Sequence, residues 1–534
     1  MKDAGTEKDK KTLQVASNFL SYLRARPFVF PVFVIDANME ILAVFLVGLC
    51  CVLQSNGIEV EASENNGCRN FQPHTVMLQE KQSYRTSFHF QPPRNWLNDP
   101  NGPMWYRGVY HLFYQYNPYG ALFGDFMIWA HSVSYDLINW IHLNHALCPT
   151  EPYDINSCWS GSATILPGKG PVILYTGIDA NQCQVQNMAM PKNLSDPFLE
   201  EWIKFAQNPI MTPPDGVEGN NFRDPTTAWL SHDGKWNVII GSWNNNQGMA
   251  ILYQSEDFFN WTKYQDPLYS TERTGMWECP DFYPVSVNST YGVDTSVLNA
   301  GVKHVMKASF NSHDYYMIGT YVPEMEKYIP DNDFTGTGMD LRYDHGKFYA
   351  SKTFFDSVKN RRILWGWVNE SDSIEDDMDK GWSGLQSIPR HIWLDRSGKQ
   401  LVQWPIEEIN KLHGKKVSFL DKKIDSESIF EVQGITAAQA DVEVVFELPG
   451  LHEAEFLNLT AVDPQLLCSD ANASIKGRLG PFGLLTLATK DLTEQTAIFF
   501  RIFKGLKGYV VLMCSDQADL LFEMRSIKQH MELS

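Results

Sequence analysis

Seven residues, Trp96-Leu97-Asn98-Asp99-Pro100-Asn101-Gly102, set one carboxylate among two amides and an indole. Pro100 and Gly102 are turn signals, and Asp99 and Asn101 are residue types that bond their own backbone in Asx-type turns. Alone, the stretch is ordinary turn chemistry. Two more carboxylates stand in equally loaded contexts: Asp224 in Phe222-Arg223-Asp224-Pro225, and Glu278 in Trp277-Glu278-Cys279-Pro280-Asp281. A fourth stretch, Trp159-Ser160-Gly161-Ser162, carries hydroxyls but no acid.

Such a set suits cleavage of a glycosidic bond with retention, which needs two carboxyls about 5–5.5 Å apart. One is an ionised nucleophile and the other a protonated acid that later acts as base. Asp99 suits the nucleophile, because the amides around it can keep a short, rigid carboxylate charged. Glu278 suits the acid/base: it reaches further, and Trp277, Cys279 and Pro280 offer a desolvated setting that favours its protonated form. Arg223 favours an ionised Asp224, which could grip sugar hydroxyls and an oxocarbenium-like transition state. Singly, Arg223-Asp224 reads as a structural ion pair and Trp277 as core packing; the reading rests on the three stretches together.

The scaffold must then bring together Asp99 and Glu278, 179 residues apart. From His89 to about Asp395 the chain reads as short strands, such as Tyr110–Tyr116, Val172–Thr176, Trp236–Ser242 and Tyr315–Tyr321, bounded by Gly, Pro, Asn or Asp. No long amphipathic helix is evident. Asp99, Ser160, Asp224, Glu278 and Asp340 follow one another at steps of 61, 64, 54 and 62 residues. Five units of this size fit a five-bladed β-propeller, each motif heading one blade at a shared channel mouth. A sandwich or solenoid, in which the motifs never meet, is the alternative. Trp404–Leu412 is expected to be a short helical connector. Beyond it, alternating segments such as Asp441–Leu448 and Tyr509–Cys514 predict a β-sandwich, in which Cys468 and Cys514 could bridge two strands.

The 534 residues exceed one hydrophobic core. The reading is a leader over 1–62 (signal peptide or anchor within 39–62, after an unusual prefix), a linker over 63–86, a catalytic propeller over 87–411 and an incomplete sandwich over 412–534. Net charge is -19, which argues against nucleic acid and anionic membranes as partners. Aromatics make up 13%, with 16 Trp, a composition that suits a large β core and sugar-stacking clefts equally. No Cys/His spacing suggests a metal, and no cofactor is expected. Seven cysteines lie beyond the leader, so at least one thiol stays free or pairs between chains. Six sequons, at Asn193, Asn260, Asn288, Asn369, Asn458 and Asn472, together with the apolar run after Met39, point to the secretory route.

From about Ser87 to Asp516 the chain resembles glycoside hydrolase family 32, the plant acid invertases and fructan exohydrolases. Trp96–Gly102 matches the family's β-fructosidase box; Trp159-Ser-Gly-Ser-Ala-Thr, Phe222-Arg-Asp-Pro and Trp277-Glu-Cys-Pro-Asp match its other boxes in order. The resemblance implies a five-bladed propeller followed by a β-sandwich. It makes Asp99 the nucleophile, Glu278 the acid/base and Asp224 the transition-state stabiliser. It places Asn98, Gln115, Ser160 and Arg223 on the fructose-binding positions. It also brings proteinaceous invertase inhibitors into view as partners. Pro280 resembles the cell-wall branch, with the vacuole as the alternative destination; the membrane is a partner only if the leader stays as an anchor.

Three departures bear on substrate. The Asp and Lys that hold the glucose of sucrose in plant invertases are missing before His313-Asp-Tyr-Tyr, where Ser309, Phe310 and Ser312 occupy that region. The family's Trp-Gly-Asn reads Phe123-Gly-Asp125 here, and Phe123 is expected to stack on a sugar face. Family members continue further at the C-terminus, so a truncated sandwich is expected. The first departure resembles the exohydrolases, and the first two touch the leaving-group side rather than the fructose pocket. They predict release of terminal β-D-fructosyl units from fructans, with cell-wall invertase as runner-up and an inert sugar-binding protein as the rival of another class.

Overall fold

A computed structural model of the chain describes residues 85–335, 340–435, 439–457, 463–470, 475–492, 495–506 and 508–516. The expected leader, all but the last residues of the linker, and Asn458 and Asn472 lie outside the described residues.

Five antiparallel sheets follow one another along the chain and form a five-bladed propeller; a smaller sheet comes after them. The first blade runs from its innermost strand Asn95–Tyr106 through Val109–Asn117 and Ile128–Ser134 to Trp140–His142. The second comprises Ser157–Leu166, Gly170–Ile178, Gln184–Pro191 and Trp202–Lys204. The third is less regular. Phe222–Arg223 and Trp229–Leu230 pair with Trp236–Asn244, which pairs with Gln247–Ser255 and, through it, with Thr262–Lys263 and Tyr269–Glu272. The fourth is Glu278–Ser286, Val302–Phe310, His313–Val322 and Lys327–Pro330; the fifth is Phe348–Asp356, Arg361–Val368, Arg390–Leu394 and Leu401–Pro405.

These strands are long apolar runs because a blade is covered on both faces. Each gap between neighbouring blades is filled by its own cluster: Phe113, Trp129 and Ile173 between the first and second, Leu174, Val238 and Ile240 between the second and third, Ile239, Trp277 and Met306 between the third and fourth, and Val305, Leu364 and Ile392 between the fourth and fifth. Each such side chain contributes about 1.5–3 kcal/mol on burial. The ring closes where Leu97 and Leu112 meet Ile363 and Trp365. Closure is also by backbone: Trp382–Ser383 adds to the first blade in parallel beside Asn95–Trp96, and Leu385–Gln386 pairs with the fifth. At this crossing Gly384 sits at φ 80, and a Cβ there would lie 1.9 Å from the Leu97 carbonyl oxygen, so only glycine fits.

Several expectations need correcting. Trp96–Gly102 is not a turn. It lies inside the strand Asn95–Tyr106, which carries register shifts between Leu97 and Pro100 and between Asn101 and Met104. The proline and glycine signals mark bulges in an innermost strand, where both residues are tolerated. Asp340 does not head the fifth blade, which starts at Phe348. The segment 441–448 is no strand: its alternating pattern leaves Val442, Val444 and Val445 exposed, with no ladder partner among the described residues. It approaches the last sheet through Phe446, whose ring lies 5.2 Å from that of Phe482. That sheet comprises Glu455–Phe456, Phe482–Thr486, Thr496–Gly505 and Gly508–Asp516. Cys468 and Cys514 do form a disulfide, but it ties the helix Pro464–Asp470, not a second strand, to Gly508–Asp516. The connector after Trp404 is the 3-10 helix Glu407–Leu412.

Candidate active site

Four of the five innermost strands share one irregularity. A bulge interrupts the ladder at Leu97/Pro100 in the first blade, Trp159/Gly161 in the second, Glu278/Asp281 in the fourth and Tyr349/Lys352 in the fifth. Asp99, Ser160, Glu278 and Tyr349 sit in or at the edge of these bulges. In the third blade Asp224 follows the two-residue strand Phe222–Arg223 and takes a left-handed φ of 65. A bulge re-aims side chains out of the strict in–out alternation. Here every blade uses a break in its innermost strand to turn a polar group toward the common centre.

The three carboxylates meet there. Asp99 accepts hydrogen bonds from Ser160 Oγ at 2.6 Å and Cys279 Sγ at 3.2 Å on Oδ2, and from Asn98 Nδ2 at 3.0 Å on Oδ1. Burial, reinforced by the charge of Asp224, pushes its carboxyl up from 3.8 to about 6, while those three donors pull it back. Asp224 is buried and accepts from the Cys279 N–H at 2.7 Å. Its own N–H donates to Thr176 Oγ1 at 2.9 Å. Burial raises its carboxyl, and Arg223, whose Nε lies 4.0 Å away, opposes that shift. Glu278 Oε1 accepts from Arg223 Nη2 at 2.6 Å, and Oε2 accepts from the Tyr349 hydroxyl at 2.5 Å. The Glu278 side chain is 34% exposed. Trp277, Cys279 and Pro280 therefore do not wrap it as expected: Trp277 is buried in the gap between the third and fourth blades, and Cys279 turns to the other two acids.

Cys279 joins the set, since it donates to Asp99 through its thiol and to Asp224 through its amide. Burial pushes its thiol well above the ordinary range, so the sulfur keeps its proton as a donor. Arg223 is held by the Asn220 carbonyl at 2.9 Å and lies 6.0 Å from the Trp159 ring. Gln115 is buried and donates to the Cys158 carbonyl at 3.1 Å, supporting the strand that presents Ser160. Asn98 is engaged on both arms, accepting from Trp96 Nε1 at 2.9 Å as it donates to Asp99. Phe123 is 56% exposed, its ring edge-on to Trp96 at 6.1 Å, and Trp96 meets Trp367 at 5.5 Å. A pocket of about 470 Å³ adjoins on the side of the first two blades, lined among others by Phe123, Asp125, Ile155, Trp159 and Gln182.

Ser309 and Phe310 do not face the pocket. Ser309 is fully buried and bonded to Asp314 at 2.6 Å. Phe310 is in the apolar cluster, stacked on Tyr315 at 4.4 Å. Asn311 and Ser312, with φ 49 and 61, form the exposed turn between Val302–Phe310 and His313–Val322, at the end of the blade where Ser309 pairs with Glu278. The exposed sequon residues are Asn193, Asn260, Asn288 and Asn369. Cys158, Cys183 and Cys279 carry free thiols.

Tyr349 was not evident in the sequence, since Phe348–Lys352 reads as any strand. Burial and the charge of Glu278 drive its phenol far above the ordinary range, so it is a permanent donor to Oε2. Tyr349→Phe is expected to lower kcat about 100-fold, the low end of the loss when one preorganised donor is removed. Steady-state kinetics check this; an unchanged kcat would show that the bond is idle.

The arrangement can do two things chemically. A small rigid carboxylate with three donors faces a longer one at the start of the next-but-two blade, and a third carboxylate stands beside both. An arginine spans the second and third acids. The chemistry these side chains offer is nucleophilic and acid–base.

The profile of the glycosyl hydrolases family 32 N-terminal domain matches residues 89–405. The chain is 58% identical over 448 residues to the beta-fructofuranosidase insoluble isoenzyme CWINV1 of Arabidopsis thaliana, covering 82% of this chain and 76% of that one. It is 55% identical over 447 residues to the fructan 6-exohydrolase of Beta vulgaris, covering 83% and 74%. Among solved structures, fructan 1-exohydrolase IIa from Cichorium intybus superposes with a TM-score of 0.80 at 60% identity, covering 82% of each chain; a variant of it is known in complex with 1-kestose.

Proposed function

The chain belongs to the glycosyl hydrolases of family 32, and from that premise we propose that it releases terminal β-D-fructosyl residues from fructans by retaining double displacement. Asp99 attacks the anomeric carbon. Ser160 and Cys279 hold its Oδ2 and Asn98 its Oδ1, and the absence of a flexible stem keeps the attack geometry fixed. Glu278 protonates the departing oxygen, then takes a proton from the water that hydrolyses the fructosyl-enzyme. Asp224, held by the Cys279 amide, binds sugar hydroxyls where positive charge develops on the ring. Arg223 and Tyr349 orient Glu278 and supply the hydrogen bonds that follow its change of charge.

The observation that carries the choice of fructan over sucrose is the rim turn Asn311–Ser312, beside the strand that pairs Ser309 with Glu278. It bears no charged side chain to hold a glucosyl leaving group. The pocket lined by Phe123, Asp125, Trp159 and Gln182 offers aromatic faces beside polar groups for a further sugar instead. The apoplast is the proposed destination, supported by the cell-wall relatives and by four exposed sequon asparagines.

Assays of the secreted protein on levan, inulin, 1-kestose and sucrose test this reading. Fructose release with kcat/KM on a fructan at least about tenfold that on sucrose is expected, a gap of about 1.4 kcal/mol. Preferred hydrolysis of sucrose makes the protein an invertase; binding of fructan without turnover makes it a sugar-binding protein.

A further inference from the structure

A bulge releases backbone groups from their ladder, and released groups inside a protein need partners. The two bulges that present Glu278 and Tyr349 lie side by side, and three buried charged side chains take up what they release. Lys307 Nζ donates to the Cys279 carbonyl at 2.9 Å and to the Ser351 carbonyl at 2.8 Å. It also donates to Ser309 Oγ at 2.7 Å and lies 3.3 Å from Asp314 Oδ2. Asp314 accepts the N–H groups of Ala350 at 3.1 Å and Ser351 at 2.8 Å. Lys352 Nζ donates to the Pro280 carbonyl at 3.1 Å. All three side chains are at most 2% exposed. Cys279 and Ala350 both adopt left-handed φ, 44 and 54, a conformation that non-glycine residues keep only where their surroundings hold it.

We propose that Lys307, Asp314 and Lys352 are positioning residues that clamp the Glu278–Cys279–Pro280 bulge of the fourth blade to the Tyr349–Ala350–Ser351 bulge of the fifth, and thereby fix all three carboxylates relative to one another. The clamp acts through Cys279, whose carbonyl is gripped by Lys307 while its amide holds Asp224 and its thiol holds Asp99. It acts equally on Tyr349, whose neighbours Ala350 and Ser351 are pinned by Asp314. Lys352 has a second effect. Asp224 is faced by Arg223, Glu278, Asp99 and Lys352; burial raises its carboxyl, and the Lys352 charge works against that. The proposal rests on the retaining reading above.

Full-length secreted Lys307→Met and Lys352→Met test it. Methionine keeps the volume and apolar packing, while removing one partner of a buried pair, as Lys307→Met does beside Asp314, costs stability. The expected result is a kcat on 1-kestose about 10–100-fold below wild type with KM within about threefold, since a misplacement near 1 Å costs on the order of 100-fold. The melting temperature of Lys307→Met falls, because Asp314 loses its buried partner, so kcat is compared per folded protein below the transition; that of Lys352→Met stays within a few degrees. In Lys352→Met the acid limb of kcat/KM, to which the neighbouring Asp99 and Asp224 carboxyls both contribute, also moves to higher pH, and Lys352→Arg, which keeps the charge, returns the limb to its wild-type position. A kcat within twofold of wild type in the folded variants overturns the proposal, as does an activity loss that only tracks loss of folded protein. If the methionine variants fail to fold, Lys307→Arg and Lys352→Arg decide: their forked head groups cannot reproduce the carbonyl bonds, so kcat must still fall about tenfold, and a wild-type kcat overturns the clamp. A wild-type protein inactive on every fructoside would instead sink the functional reading itself.

Discussion

Asp99→Asn yields a folded protein whose kcat on fructans is lowered on the order of 10⁴–10⁶-fold, the scale of losing a covalent nucleophile, and whose stability at neutral pH is higher than that of wild type. Both effects have one cause. Burial and the neighbouring Asp224 raise the Asp99 carboxyl from 3.8 to about 6, against the pull of Ser160, Cys279 and Asn98. The folded state therefore holds the Asp99 proton more tightly than the unfolded chain does. By linkage, stability contributed by this group is present below about pH 4 and is lost as pH rises toward about 6. Above that, wild type carries a destabilised carboxylate, at a cost on the order of 2–3 kcal/mol. Asparagine removes the charge and keeps the shape. Calorimetry should find the variant melting a few degrees above wild type at pH 7 and level with it at pH 4. An equal difference at both pH values would show that burial of the charge is not the cause. The same ionisation gates turnover, so kcat/KM of wild type should fall on the acid side as pH drops through about 6 and Asp99, beside Asp224, takes up its proton.

The three acids were legible because each is flanked by residue types that serve chemistry better than packing, and because their spacing matches that of successive blades. What their flanks conceal is how the backbone presents them. Proline and glycine in Trp96–Gly102 signal a departure from regular structure, but not whether the departure is a turn or a bulge within a strand. The interval that placed Asp224 and Glu278 fails for the fifth blade, since the loop before Phe348 is longer than the even spacing allows, and Asp340 stands ahead of the strand. Tyr349, Lys307 and Lys352 left no trace, because a lysine or tyrosine in an alternating strand reads as solvent-facing and only the ring of blades turns it inward. The stretch 441–448 shows the converse: its alternation is that of a strand, yet a strand needs a partner edge, and pattern alone does not supply one. The rim was half legible. The stretch before His313 carries no charge, but Ser309 and Phe310 are drawn into the core and Asn311 and Ser312 form an exposed turn.

Glu278→Gln separates proton transfer from every other contribution of the site. The glutamine can keep both partners, its oxygen accepting from Arg223 and its amide donating to the Tyr349 oxygen in place of the bond that Tyr349 now donates. The variant should fold, bind fructan with little change in affinity and lose the acid. On 1-kestose or inulin, where the departing oxygen belongs to a sugar and must be protonated, kcat is expected to fall by about 10³-fold, within the usual range for general acid catalysis. On an aryl fructoside such as p-nitrophenyl β-D-fructofuranoside the departing oxygen is already a stable anion, so formation of the fructosyl-enzyme needs no acid. That first step should survive with a loss of about tenfold or less. The second step still lacks its base, so the fructosyl-enzyme accumulates and a burst of nitrophenolate precedes a slow steady state. Added azide, an anionic nucleophile that requires no deprotonation, should then speed turnover and give a fructosyl azide of retained configuration. Equal losses on both substrates without azide rescue would remove Glu278 from the acid/base role and leave it as a binding group for the sugar, with Arg223 and Tyr349 merely its anchors.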